Sequence, residues 1–455
     1  MTQQEVRWAA DQVLALAPDA ASRKAGSRLG TAAPWSRTGS SGDGTVWGLC
    51  QGSGSSPYRT VVDLAGAGGP ASRCSCPSRK FPCKHALGLL LLWAGSDGAV
   101  VRGEVPDWAE QWIEGRRQRA RDKGTAGGTT GGAPTPAPAD PEAARRRAER
   151  RAERITSGAT ELEQRLADLL RGGLAAAERT GYGLWEETAA RMVDAQAPGL
   201  AARVRELGAL PSSGPGWPSR MLEECALLHL LDQGWLRRAR LPEALAATVG
   251  SRVGLPGSAD AGPAVRDRWL VLARYDTSDG RLTTRRIWLY GTDSGRTALL
   301  LSYGAAGRAP ELTFPVGLAF EAEVCAYPGA GQLRVALGEQ FTPPAPTPLR
   351  PKASTTAQAA ALYGEALRAD PWLESFPVAL GPVVPTPFEE SWQLADADGG
   401  TALPLTPAAG ARADLWRLVA LSGGAPVTVF GECGPGGFTP LAAWSQDEGE
   451  VVPLC

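Results

Sequence analysis

The sequence predicts an α+β protein of several domains: a small ββα-type front domain, then a mainly α domain, then a mainly β domain. Three observations carry this reading. Residues 74–85 read C-S-C-P-S-R-K-F-P-C-K-H, with two short strand patterns before them and an apolar helix after. Residues 116–141 turn abruptly to arginine, then to glycine, threonine and proline, a composition that separates domains. Beyond Pro263 the apolar period changes from helical to alternating. A chain of 455 residues is also too long for one ordinary core. The expected boundaries are 1–115, a flexible linker at 116–141, a helical domain at 142–255 and a β-rich domain at 260–455.

Taken in order, residues 4–17 have helical spacing, with Val6, Ala9, Val13, Leu14 and Leu16 on one face. Residues 45–51 and 58–64 read as strands, and G-S-G-S-S-P between them is turn chemistry, so a β-hairpin is expected. Residues 73–76 form a further short strand. After His85, A-L-G-L-L-L-L-W-A is apolar all round, as in a helix buried on most sides, and it stops near Gly95. Trp8, Trp35, Trp47, Trp93, Trp108 and Trp112 are expected to share one small core. Past the linker, P-E-A-A-R-R-R-A-E-R-R-A-E-R opens a helix whose apolar stripe comes later, at Leu162, Leu166, Leu169 and Leu170. Helices follow at 184–196, 199–208 and 219–238. Strands are expected at 268–276, 281–290, 297–303, 311–314, 319–327 and 332–337, then a helix near 357–368 and a β-rich end from 391 to 454.

Charge is uneven although the net is only −1. Up to Arg154 there are 22 basic and 15 acidic residues, a net of +7; the remainder carries 25 and 33, a net of −8. Contact with a polyanion therefore belongs at the front. Of eight cysteines only three cluster, which favours a reduced compartment with one metal site over a disulfide framework. The first residues lack a basic segment followed by an apolar core, and the longest apolar run, 87–94, is too short to span a bilayer. A cytoplasmic protein with no membrane partner is expected.

Cys74, Cys76, Cys83 and His85 form two tight pairs separated by a six-residue loop, and His85 is one of only two histidines. Zinc takes four sulfur or nitrogen donors around one point, and two close pairs joined by a loop make such a clamp. Pro77 and Pro82 border the loop and lessen the entropy lost on closing it. A redox pair is the competing reading of clustered cysteines, and C-x-C beside C-x-H suits zinc better. Four protein ligands leave no open position, so the ion is structural. Arg73, Arg79, Lys80 and Lys84 surround the cluster, and no acidic residue occurs between Asp63 and Asp97. These cations either hold the thiolates ionised or contact a nucleic acid or an acidic partner directly. The arginine run at 145–154 is either a solvated helix face or a polyanion surface. Cys225 and His229, four apart, read as core residues; Cys50, Cys325 and Cys433 read as small buried hydrophobes, and Cys455 as exposed.

The spacing C-x-C-x6-C-x-H, with Pro82 before the third cysteine and the apolar helix after the histidine, resembles the SWIM zinc finger. The upstream V-W-G-L-C-Q-G-S-G-S-S-P-Y is similar to bacterial SWIM zinc-finger family proteins, and the likeness covers roughly residues 30–95. The resemblance implies a zinc finger domain with Cys74 and Cys76 on the hairpin and Cys83 and His85 at the helix start. It implies binding to DNA or to proteins, and work beside AAA+ ATPases of the MoxR kind and von Willebrand A-domain proteins.

Catalysis is not expected. With His85 on a metal, a Ser-His-Asp or Cys-His arrangement has to use His229, which lies in the apolar helical context M-L-E-E-C-A-L-L-H-L-L. No G-x-x-x-x-G-K-[ST] phosphate loop is present. Three readings stay open: a zinc-stabilised module that binds a protein partner or DNA, a sequence-independent DNA binder using the basic finger loop, and an enzyme with a carboxylate site in the C-terminal half.

Overall fold

The structure, a computed structural model, describes residues 7–52, 56–65, 70–78, 80–95, 98–125, 141–257, 259, 263–278, 282–305, 310, 312–331, 333–410, 413–445 and 451–455. It is α+β, with a β-rich front, a helical middle and a β-sheet-rich end. Among these residues no helix is long and apolar enough to cross a membrane.

The front begins with α1 (Ala10–Leu14) and α2 (Ala20–Ser27), the latter capped by Asp19, whose side chain accepts the Ser22 N–H at 2.7 Å. Four strands follow, β1 (Trp35–Ser40), β2 (Thr45–Cys50), β3 (Tyr58–Asp63) and β4 (Ala71–Cys74), with β5 (Val101–Arg102) closing the order β4-β3-β2-β1-β5. The expected hairpin is β2–β3, in register from Thr45↔Asp63 to Cys50↔Tyr58. Side chains alternate across a sheet, and here each face has its own helix. Val46 and Val62 face α3 (Lys84–Ala94), whereas Trp47 and Val61 face α4 (Asp107–Thr125).

That alternation divides the tryptophans. Trp8, Trp35 and Trp93 join the core under α3, while Trp47, Trp108 and Trp112 pack with Ala109 and Ile113 on the other face. The single shared core expected from their nearness in sequence is thus two cores separated by a sheet. The front helix is shorter than expected within the described residues, and β1 and α2 were not legible in the apolar pattern. Helix α4 also continues to Thr125, through the first ten residues of the stretch expected to be linker; 126–140 lies outside the described residues.

The middle consists of α5 (Pro141–Gly172), α6 (Ala175–Asp194), α7 (Pro198–Ala209), α8 (Trp217–Leu236) and α9 (Glu243–Val253). Ile155, Ala159, Leu162 and Leu166 of α5 recur at helical spacing and meet Met192, Leu200, Val204, Leu228 and Trp235 in one core. Trp372 from the following part enters this core and donates its Nε1–H to the Leu227 carbonyl at 2.9 Å.

The last part holds two sheets. Strands β6 (Ala264–Ser278), β7 (Leu282–Gly291), β8 (Thr297–Ala305), β9 (Leu318–Ala326), β10 (Arg334–Gln340) and β11 (Ala345–Pro346) form the first, and β10 bonds both β8 and β9, closing it on itself. Trp269 and Val271 point inside with Ile287, Leu289 and Phe320. Leu270 and Leu272 point outside and pack on the second sheet through Phe430, Leu441 and Trp444. That second sheet follows α10 (Thr356–Ala369) and comprises β12 (Phe376–Phe388), β13 (Ser391–Asp396), β14 (Ala402–Pro404), β15 (Val427–Gly434), β16 (Gly437–Trp444) and β17 (Val451–Pro453).

Two expectations differ here. Residues 312–314 are not a strand: Leu312 N–H bonds Ser302 Oγ at 3.2 Å, and the Phe314 ring stacks on Phe320 at 4.5 Å, plugging the closed sheet. The β-rich end also contains α11 (Pro407–Gly410) and α12 (Asp414–Ser422), the latter burying Leu415 and Leu418 at helical spacing.

Candidate metal centre

Strand β4 delivers Cys74 because it pairs Thr60↔Cys74, which sets both side chains on the face toward α3. Cys76 follows in the turn beyond the strand. Cys83 is the N-cap residue of α3, with extended φ −74° and ψ 166°, and His85 lies in the first turn. The helix forms here because leucines 87, 89 and 90 are all nearly wholly buried, each stabilising it by roughly 1.5–3 kcal/mol. Burial of α3 thereby fixes where two of the four ligands stand.

The donor atoms of Cys74, Cys76, Cys83 and His85 all lie within 4.8 Å of one another. Cys74 Sγ is 3.7 Å from His85 Nδ1. Donors about 2.0–2.3 Å from a tetrahedral zinc are separated by roughly 3.5–3.8 Å, so the separation suits one ion between them. The donor set and its spacing fit one structural zinc. Tyr58 lies against the imidazole with ring centroids 4.8 Å apart, and Thr60 Oγ1 is 3.3 Å from Cys74 Sγ.

The thiols are electrostatically unequal. Hydrogen bonding from Cys83 first, then from His85 and Thr60, draws the Cys74 thiol well down. The same contact with Cys74, together with burial, pushes Cys83 up; burial pushes Cys76 up. Amide N–H groups of Cys76, Ser78 and Ala86 point at the sulfurs of Cys74, Cys76 and Cys83 and favour their ionised forms. Three sulfurs so close cannot all ionise without a cation, and zinc binding would release the remaining protons.

The basic residues do not form one free patch. Lys80 Nζ is 2.8 Å from Asp19 Oδ2, which ties the metal loop to the start of α2. Arg73 pairs across from Val61 and so lies on the α4 face, away from the sulfurs. Lys84 is exposed on the first turn of α3, and Arg79 lies outside the described residues. His229, expected in the core beside Cys225, is instead exposed and 2.7 Å from Glu163; the residues buried with Cys225 on this helix are Met221, Leu228, Leu231, Asp232 and Trp235. Cys50 and Cys433 are buried, Cys325 is half-buried and Cys455 is exposed.

Tyr58 and Thr60 were missed as neighbours of the metal ligands. The alternation of β3 carried the signal for Thr60, since it shares a face with Val62.

The comparisons with known proteins agree with this geometry. The family model of the SWIM zinc finger matches residues 58–94, and that of the SWIM-associated four-helix bundle domain matches residues 150–253. No curated protein and no solved structure matches the chain. The first match spans β3, the metal loop and α3; the second spans most of α5 through α9.

Proposed function

We propose that this chain, a SWIM zinc finger family protein, is a non-enzymatic interaction protein whose zinc holds a docking surface for a protein partner. The observation that carries this is the burial of α3: His85 through Leu90, Leu92 and Trp93 are all buried. A helix that reads a DNA groove must present side chains to it, and α3 presents its side chains to its own core. The finger also works as a fastener. Leu318 of β9 sits in the front core, and Trp8 Nε1–H donates to the Pro344 carbonyl at 3.0 Å in a buried contact.

What the finger leaves outside is its loop. Phe81, 45% exposed, lines a cavity of about 760 Å³ with Pro82, Arg274, Tyr275 and Glu432, where the front meets both sheets. An exposed aromatic side chain beside mixed charges suits a protein surface. AAA+ ATPases of the MoxR kind and von Willebrand A-domain proteins are the first partners to test. Both histidines are accounted for without catalysis, His85 in the metal cluster and His229 in its pair with Glu163. A cluster of three thiols suited to zinc, with no disulfide among the described residues, supports a cytoplasmic location.

The test is co-purification of the full chain with those candidate partners, comparing the unaltered protein with Phe81→Asp and Cys83→Ser. Loss of the complex in Phe81→Asp, with zinc content unchanged, is the expected result. Retention of every complex in both variants would exclude the finger loop as the contact. A second reading rests on Arg73 and Lys84, which are exposed and have no ion pair among the described residues. Sequence-independent DNA binding through them requires Arg73→Ala/Lys84→Ala to flatten the salt dependence of binding.

A further inference from the structure

We infer that the arginine stripe of α5 is a second interaction surface, one that takes the phosphate backbone of a nucleic acid. At 3.6 residues per turn, Arg147, Arg150 and Arg154 fall within an arc of about 60° and span about 10 Å along the axis. All three are exposed, and none has a carboxylate partner among the described residues. The acidic residues of the same segment, Glu142, Glu149 and Glu153, centre about 110° round the helix by the same geometry, with Glu153 the nearest, about 60° from Arg150. Two of them are engaged there, by Arg146 at 3.6 Å and Arg145 at 3.3 Å. The i,i+4 pairs of the segment use Arg145 and Arg146 and leave the three stripe arginines over.

Two members of the stripe, Arg150 and Arg154, enter a groove of about 450 Å³ between α5 and the end of α6, which Glu153, Gly158, Glu161 and Arg191 also line; Arg147 lies one turn beyond it. A Cβ on Gly158 would lie 2.6 Å from Ala195 Cβ, so the glycine is what lets the two helices close the groove floor. Glu161 is neutralised by Arg191 at 2.9 Å and Arg165 at 3.1 Å. Glu153 is the one groove carboxylate with no ion pair among the described residues. Arg150 and Arg154 outnumber it in the groove, and Arg147 adds a third guanidinium just outside. Arg151, beside the stripe, turns inward instead, donating to the Gly254 carbonyl at the end of α9 at 3.0 Å.

Guanidinium groups bind phosphate oxygens in bidentate fashion, and every nucleotide of a nucleic-acid strand presents one phosphate. Three forks on long side chains can therefore take about three phosphates, and such contacts read no bases. This surface is on the bundle and is independent of the finger loop proposed above.

The test is fluorescence anisotropy of the full chain on a labelled 20-base-pair DNA duplex and on a single-stranded RNA of equal length, from 50 to 200 mM salt. Arg147→Ala/Arg150→Ala/Arg154→Ala is compared with the unaltered chain, with helical circular dichroism and zinc content as checks on folding. Neutralising three phosphates of a duplex gives a salt slope of about −2.7, or roughly a 40-fold loss of affinity over that range. The triple variant should lose at least about tenfold at 50 mM salt and most of that slope. Preference between the two probes assigns the source of the phosphates. Failure of the unaltered chain to bind either probe overturns the inference, as does an unchanged slope in the variant. Displacement of both probes by a poly-glutamate peptide of equal charge at lower concentration also overturns it, and would assign the stripe to an acidic protein.

Discussion

The front domain and the helical bundle each bury groups that repel one another when ionised, and they resolve the conflict differently. In the front, a strand, a turn and a helix start bring three sulfurs and an imidazole nitrogen within 4.8 Å. Four such donors around one point suit a divalent ion. In the bundle, Asp232 is fully buried, and neither of its carboxylate oxygens has a hydrogen-bond partner among the described residues. Its neighbour Glu163 is already paired with His229 and accepts from Gln233 at 2.7 Å. Two carboxylates do not surround a cation, and a proton is the other way to neutralise such a pair. Burial first, then Glu163, push Asp232 up to about 9, and a protonated Asp232 can donate to Glu163. Donor number and convergence, more than local charge, select metal or proton.

The sharpest way to break this comparison is to remove the metal. Zinc binding to such sites is worth roughly 10–16 kcal/mol at neutral pH and is coupled to folding. Cys83→Ser, or a chelator, is therefore expected to unfold the front domain while the bundle stays helical. Elemental analysis should fall from about one zinc per chain, and hydrogen exchange of α3 should rise to the unprotected rate. Retention of α3 protection without metal would mean that leucine burial alone holds the finger.

The proton in the bundle makes the second prediction. The carboxyl of Asp232 is raised on folding, so its contribution is fully present below the unfolded value of 3.8 and is lost as pH rises through about 9. Between those limits the folded chain binds more protons than the unfolded one. Stability of the bundle should fall with rising pH by at most about 1.4 kcal/mol per unit. In Asp232→Asn that slope should be reduced, as measured by urea denaturation at pH 5 and pH 8. An unaltered slope would mean that Asp232 is ionised in the folded state.

A third substitution separates packing from charge. A Cβ on Gly199 would lie 1.9 Å from the Arg252 carbonyl oxygen, where α7 crosses the end of α9. Gly199→Ala should cost about 1–3 kcal/mol, lower the bundle's melting temperature and leave zinc content unchanged.

The same contrast explains what the sequence disclosed. The metal site was legible because its ligands are close in the chain and chemically rare: two pairs at fixed spacing, one containing half of the chain's histidines. The order of α and β parts followed from apolar period. The Asp232–Glu163 meeting was not legible, since its members are 69 residues apart and meet only once α5 packs on α8. Yet half of it could have been read: Cys225, Leu228, Asp232 and Trp235 share helical spacing, which places a carboxylate at a core position. His229 has an apolar neighbourhood in sequence, yet its helical phase differs from theirs and it is exposed. Residues 312–314 and the division of the tryptophans depend on sheet closure and sheet faces, which pairing between distant strands decides.

The smallest expected effect concerns the charge around the zinc loop. Lys80 holds Asp19 down to about 2, with the Ser22 contacts adding to it. Both partners are well exposed, 55% and 40%, so water and salt screen the pair. The sign follows from the lowered carboxyl: the contact contributes above 3.8 and is lost as pH falls through about 2. In Lys80→Ala the Asp19 carboxyl should titrate closer to 3.8, observed by NMR, with little change in melting temperature and none in zinc content. Loss of zinc in that variant would place the control of the loop in its cations, because the four donors would then be insufficient to capture the ion without Lys80 pinning the loop to α2.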